Sequence, residues 1–408
     1  MSLKKNIINL FGTQIISYLG PLLLLPYLSH ILDTNYFGLY IFTLSIINFS
    51  SIITNFGFDI SIPKKIAEGK NSKDELNTLN YHVNLIKLIL SLFTLSGICV
   101  VIYYTNYYQN ELSSIVLLLL SIFFNSFNFA WLFQGVEKIY IYSRIVIISK
   151  LISFLLIFIF VTSNEDFVLI MTIILIQNIL SLLISFYIIF EKMNIKIKKS
   201  SLNDTWYIAK DSTEYFISRL GVSLYSTCGS FFLGIFSGSL HQVAIYGAAE
   251  QLYRAGVSAM SSISSPLTPF MARTKDFNLL FKVIKLALLL TISGSLFGFI
   301  VGDYIINIIY GVNYENAKPV LNVFMITIIF SVIGMILGYP ALIPLGKARS
   351  ANYSVMYAGI LQILFIITML LFEIPFNAIN IAISYLLCDI FMFTYRGLIF
   401  IKGYKIKK

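Results

Sequence analysis

Residues 211–273 read DSTEYFISRLGVSLYSTCGSFFLGIFSGSLHQVAIYGAAEQLYRAGVSAMSSISSPLTPFMAR, and the reading of that stretch sets the reading of the whole chain. It divides into two hydrophobic helices joined by a short turn around Ser237–Gln242, with Arg219, Glu250 and Arg254 inside them. A charged side chain in a bilayer core costs about 2.5–3.5 kcal/mol on insertion scales, so such residues face a bundle interior or a wet cavity. The spacing agrees. Ser212, Tyr215, Arg219, Ser223, Ser226, Ser230 and Gly234 recur at helical steps along one face, and Gly247, Glu250, Arg254, Ser258 and Ser261 do the same in the second helix. Glu250 and Arg254 stand one turn apart and can pair. A polar stripe also glues helices together, but small residues suffice for glue and charges are not needed.

Composition sets the class. The chain has 408 residues, 58% hydrophobic and 12% charged, where a soluble protein carries about a quarter charged. Long apolar runs recur from end to end, which predicts an all-α polytopic membrane protein. The net charge of +10 does not imply nucleic acid as a partner. The basic residues cluster between runs, where they set topology and meet anionic membrane lipid. Cys99, Cys228 and Cys388 lie within apolar runs without metal spacing, and His30, His82 and His241 are scattered. No metal, cofactor or catalytic residue is therefore expected. Lys4 and Lys5 precede an apolar run too long for a signal peptide's core, so no cleavable signal is expected.

About twelve transmembrane helices are predicted: 7–31, 38–60, 80–104, 112–134, 144–163, 167–190, 212–236, 243–264, 281–302, 318–340, 349–372 and 376–400. Alternate connections carry the basic clusters, among them Lys64, Lys65, Lys196, Lys198, Lys199, Arg273, Lys275, Lys347, Arg349, Lys402 and Lys405. The other set carries Lys318 alone beside Asp33, Glu111, Glu165, Asp166, Asp303, Glu315 and Glu373. The positive-inside rule then places both termini in the cytoplasm. The polar segment Glu191–Asp211 splits the spans evenly, giving an N-terminal bundle of about six helices over 1–205 and a C-terminal one over 206–408.

Several spans carry breakers or polar groups. Gly20, Pro21 and Pro26 interrupt the first; Gly334, Gly338 and Pro340 interrupt the tenth, with Pro344 just beyond. Asn125 and Asn128 share an inward face of the fourth. Lys87 and Lys150 lie about two turns inside the third and fifth spans, at a depth similar to that of Arg219, and each can snorkel to the interface; Lys285 and Arg396 are shallower and are expected to do so. Glu250, Arg254 and Asp389 fall mid-span, where snorkelling is hard and burial in protein or water is expected.

These stretches also carry a resemblance. Leu22–Ile31 followed by Tyr36-Phe37-Gly38-Leu39-Tyr40 and Asn55-Phe56-Gly57-Phe58, then Trp131-Leu132-Phe133-Gln134-Gly135-Val136-Glu137, Phe216-Ile217-Ser218-Arg219-Leu220 and Tyr246-Gly247-Ala248-Ala249-Glu250-Gln251-Leu252, resemble the Wzx-type O-antigen flippases of the multidrug/oligosaccharidyl-lipid/polysaccharide exporter superfamily. The resemblance covers essentially the whole chain. It implies two six-helix bundles around a central cavity that opens alternately to each side of the inner membrane. It implies translocation of an undecaprenyl-pyrophosphate-linked oligosaccharide repeat unit, a cationic lumen, and a proton or sodium ion as coupling ion. Arg219 and Glu250 match its motif positions, and Lys150 stands where relatives often have arginine. Arg254, Lys87 and Asp389 rest on the membrane argument alone.

The candidate substrate-binding residues are thus Arg219, Arg254, Lys150, Lys87 and Asn128, and the candidate ion-coupling residues are Glu250 and Asp389. A cation-coupled multidrug antiporter of the same superfamily is the alternative within transport. It is disfavoured because drug antiporters tend to use a membrane-embedded acid in the first bundle, where the intramembrane charges here are basic. A polytopic polysaccharide-biosynthesis enzyme is a third reading. No large outer loop supports it, and no phosphate-cradling glycine-rich loop is present.

Overall fold

The computed structural model of the chain describes residues 20, 22–69, 72–108 and 112–407. Most of the expected first span, and with it Lys4, Lys5 and Pro21, lies outside the described residues, as does Glu111. The described residues form helices joined by short turns. In order they are α1 (Leu22–Ile31), α2 (Thr34–Asn55), α3 (Phe58–Glu68), α4 (Lys73–Thr105), α5 (Leu112–Ser126), α6 (Ala130–Gly135), α7 (Ile139–Phe160), α8 (Phe167–Tyr187), α9 (Leu202–Ser226), α10 (Gly229–Phe236), α11 (Leu240–Thr274), α12 (Phe277–Tyr310), α13 (Ala317–Ile336), α14 (Tyr339–Leu342), α15 (Ala348–Leu371) and α16 (Ala378–Lys407).

The helices are apolar on the outside. Along α12 the buried residues Ala287, Thr291, Ser295, Gly298, Gly302, Ile306 and Tyr310 follow one another at steps of about one turn. The opposite face exposes Leu289, Leu296, Phe297 and Ile300. In water that distribution would be inverted; in a bilayer the lipid-facing side is the greasy one, and small or hydroxyl residues draw helices together. Here α13 closes on the small stripe. The Ser295 hydroxyl donates to the Met325 carbonyl, and a Cβ on Gly298 would fall 2.3 Å from Met325 Sδ. Helix α7 repeats the pattern, burying Ser143, Ser149 and Ser153 while exposing Ile148, Leu155 and Ile159.

Among the described residues nine segments are long and apolar enough to cross a membrane. The expected spans 212–236 and 243–264 fold as helices but are not among the nine. They are the polar pair that holds Arg219, Glu250, Arg254 and the serine stripes, so apolarity alone passes over them.

The described residues form two compact units, one of those within 20–32 and Thr43–Arg219, the other of those within Asp33–Phe42 and 220–407. The first is cored by Phe58, Ile62, Val83, Trp131, Leu132, Phe133 and Ile189, among others. In the second, Ala358, Cys388 and Met392 form a cluster. Gly359 there lets α15 touch the end of α9, where a Cβ would sit 2.4 Å from the Gly221 carbonyl oxygen.

Candidate functional site

In the first unit two helices are broken, and the candidate residues gather at the breaks. Helix α2 stops at Asn55 because Phe56 and Gly57 turn left-handed, with φ of 45° and 71°. Only glycine fits at position 57, since a Cβ would come within 2.7 Å of the Phe216 amide nitrogen. Helix α5 stops at Ser126, and the chain turns through Phe127–Phe129 before α6 begins, with the Phe129 carbonyl accepting the first bonds of α6. This second break has neither glycine nor proline. Its cause is Asn128, whose side chain donates to Asn55 Oδ1 at 2.7 Å and to the Asn125 carbonyl at 3.2 Å, and so replaces the helical ladder.

A broken helix leaves carbonyls with no partner, which lipid cannot supply. Lys87 supplies one. Its Nζ donates to the Asn128 carbonyl at 2.7 Å and to Asn55 Oδ1 at 3.3 Å, and the side chain is fully buried. Lys87 therefore does not snorkel. Depth from the helix end suggested that it can, but α4 turns this face into the core.

Arg219 Nη2 pairs with Asp59 Oδ2 at 2.8 Å, with both side chains partly exposed. Sequence reasoning missed Asp59, although an acid just inside an apolar run after Phe56-Gly57-Phe58 was a usable signal. Lys150 is half-buried on α7 and makes no hydrogen bond or ion pair with any described residue. Ser51, Asn55, Asp59, Asn125, Asn128 and Tyr142 line a cavity of about 250 Å³ in this unit.

In the second unit the arrangement recurs. Helix α9 ends at Ser226, and the Thr227 and Cys228 amides fold back onto the Ser223 carbonyl. Arg254 Nη2 caps the free end, donating to the Ser226 carbonyl at 2.6 Å and to Glu250 Oε1 at 2.8 Å. Glu250 is buried and Arg254 is half-buried. Helix α13 ends before Gly338, as the glycines and prolines there predicted, and Arg396 donates to the Gly334 carbonyl at 2.7 Å and to Ser354 Oγ at 2.8 Å. Arg396 was expected to snorkel like Lys285; it is instead bonded inside the unit, whereas Lys285 is exposed. Asp389 is buried, within 3.4 Å of the Tyr253 hydroxyl, which also reaches Ser331 Oγ at 3.0 Å. Asp389 and Arg396 both line a cavity of about 230 Å³ with Tyr225 and Ser331.

The four expected cations thus differ in what they have left to give. Lys87 is spent on backbone and amide oxygens, and Arg219 and Arg254 each hold one carboxylate. Lys150 is unpaired among the described residues. Asn128 is spent on Asn55 and Lys87.

Comparison with known proteins is consistent along the chain. The family model described as "Polysaccharide biosynthesis protein" matches residues 3–275. A protein of Escherichia coli (strain K12) named "Putative O-antigen transporter" is 28% identical over 79% of this chain and 79% of its own length. One of the same name from Shigella dysenteriae is 27% identical over 89% of this chain and 92% of its own. Among solved structures, "Lipid II flippase MurJ, inward closed conformation" aligns with a TM-score of 0.75 at 14% identity, covering 100% of this chain and 88% of that one. An inward-facing multidrug resistance MATE family transporter of the MOP superfamily aligns with a TM-score of 0.68 at 15% identity, covering 99% and 96%. At those identities the structures share the fold.

Proposed function

The chain belongs to the polysaccharide biosynthesis protein family, and from that premise we propose that it flips a lipid-linked oligosaccharide across the cytoplasmic membrane. The substrate is a sugar repeat unit joined through pyrophosphate to undecaprenol, carried from the inner to the outer leaflet by alternating access for surface polysaccharide assembly. The protein acts as a carrier rather than an enzyme, with both termini in the cytoplasm. The supporting observation is the set of cations placed inside helices, Lys87 and Lys150 in two of the apolar spans and Arg219 and Arg254 in the polar pair, since a pyrophosphate inside a membrane needs cationic donors.

The pyrophosphate meets Lys150 first, because no described residue competes for its ammonium. Arg219 and Arg254 follow by exchanging one carboxylate for phosphate oxygens, which Arg's fork of donors suits. Lys87 and Asn128 hold the broken helices in shape. When Arg254 turns to phosphate, Glu250 loses the cation it pairs with and takes up a proton or sodium ion, linking loading to the conformational switch. Asp389 is the reserve coupling group.

A multidrug antiporter would use the same fold. Against it, the Asp59 carboxylate of the first unit is paired with Arg219, which weakens its pull on a cationic drug. The test is a leaflet-resolved assay in proteoliposomes with undecaprenyl-pyrophosphate-linked oligosaccharide. Transfer driven by an imposed ion gradient supports the reading; drug efflux with no lipid transfer would replace it with the antiporter.

A further inference from the structure

The cavity of the first unit has its own chemistry, set by which polar atoms are already used. No cation is among its described lining residues: Lys87 is buried against the Asn128 carbonyl, and Arg219 meets the lining residue Asp59 through Oδ2. What remains is mostly neutral. The Asn125 carboxamide makes no side-chain bond with any described residue, and neither does the Tyr142 hydroxyl. Ser51 Oγ accepts from Asn55 Nδ2 at 3.1 Å and keeps its own hydrogen to donate. Asp59 Oδ1 is a spare acceptor beside them.

Donors and acceptors are therefore interleaved with one carboxylate oxygen and no cation among the described lining residues. Such a wall repels phosphate and pairs well with hydroxyl groups, each of which both donates and accepts. Phe58, Trp131 and Tyr142 add aromatic faces, on which the C–H face of a sugar ring packs. At about 250 Å³ the cavity is smaller than the roughly 300–1,000 Å³ that encloses a drug-sized ligand, so it holds one ring rather than a whole repeat unit.

We infer that this cavity is a sugar-recognition subsite, reading one neutral monosaccharide of the oligosaccharide through Asn125, Ser51, Tyr142 and Asp59 while the pyrophosphate is held elsewhere. The inference rests on the flippase reading for its source of sugar. It makes substrate choice a property of the first unit's broken helices, separate from the cations.

Two measurements test it. In proteoliposomes, Asn125→Ala and Tyr142→Phe are expected to raise the apparent KM for the lipid-linked repeat unit at least tenfold. The inhibition constant of sugar-free undecaprenyl pyrophosphate is expected to stay unchanged. An equal change in both, or in neither, overturns the subsite. The second measurement needs no transport. Trp131 and Trp206 are the chain's two tryptophans, and Trp206 is 74% exposed, so Trp206→Phe leaves Trp131 as the sole reporter. Its emission is titrated with free hexoses and N-acetylhexosamines, and with inorganic pyrophosphate for comparison. A saturable change with at least one sugar, lost in Asn125→Ala and absent with pyrophosphate, supports the subsite. A response to pyrophosphate, or to no sugar, overturns it. If the unaltered protein moves no lipid-linked oligosaccharide, the flippase reading fails, and the emission titration still judges the cavity on its own.

Discussion

Arg254 Nη2 donates to the carbonyl oxygen of Ser226 at 2.6 Å, across a break between α9 and α10. The same relationship joins Lys87 to Asn128 and Arg396 to Gly334. In each case a cation in the membrane-spanning region answers a carbonyl freed where a helix stops. The C-terminal end of a helix carries partial negative charge, so a cation there is doubly favoured. These cations are part of the backbone's hydrogen-bond accounting before they are part of any binding site.

Lys87→Ala should therefore act on stability first. It leaves the Asn128 carbonyl short of a donor inside the first unit, while Asn55 Oδ1 keeps Asn128 Nδ2; the lost bond costs about 1–3 kcal/mol. A lowered melting temperature in detergent is expected, with partial recovery in Lys87→Gln, whose amide keeps a donor. An unchanged melting temperature with abolished flipping would make Lys87 a substrate ligand instead.

Lys150→Ala should do the reverse. No described partner depends on this ammonium, so the melting temperature is expected to hold. Affinity for the lipid-linked substrate is expected to fall about tenfold, roughly 1.4 kcal/mol. Competition binding with undecaprenyl pyrophosphate reads this directly, and an unchanged affinity would remove Lys150 from the anion's path.

Glu250→Gln keeps the shape of the Glu250–Arg254 contact but cannot titrate. Loss of gradient-driven flipping with retained substrate binding is the expected result in proteoliposomes. Full gradient dependence with only reduced stability would leave the pair structural, as buried ion pairs often are, and would move coupling to Asp389.

Gly57→Ala places a Cβ where φ is 71° and where the Phe216 amide nitrogen would lie 2.7 Å away. The left-handed conformation alone costs about 1–2 kcal/mol for an L-residue with a side chain, and the contact adds to it. A clear loss of thermal stability is expected. Wild-type stability would mean that the α2–α3 break tolerates another backbone.

The fold was legible because lipid writes it plainly. Long apolar runs and alternating basic connections need no tertiary information to be read. The glycine- and proline-marked end of α13 was legible for the same local reason. The break at Phe127–Phe129 was harder, since its signal was only a pair of asparagines whose bonds run to another helix. Lys87 and Arg396 were misplaced because distance from a helix end says nothing about which face turns inward. Asp59 went unread because its meaning depends on Arg219, far away in sequence. The polar pair α9 and α11 was recognised from its charges, although those same charges make it less apolar than the nine long spans.

The unwound turn at Phe127–Phe129 ties electrostatics to backbone winding. At present the Leu132 amide bonds the Phe129 carbonyl at 3.0 Å, which leaves the Asn128 carbonyl to Lys87. Were the turn to rewind, Leu132 would reclaim the Asn128 carbonyl as its helical partner, and the ammonium would keep only its longer bond to Asn55 Oδ1, at 3.3 Å, among the described residues. The amount of positive charge on offer inside the first unit is then metered by a few backbone dihedrals, like a clutch that engages only when one helix slackens.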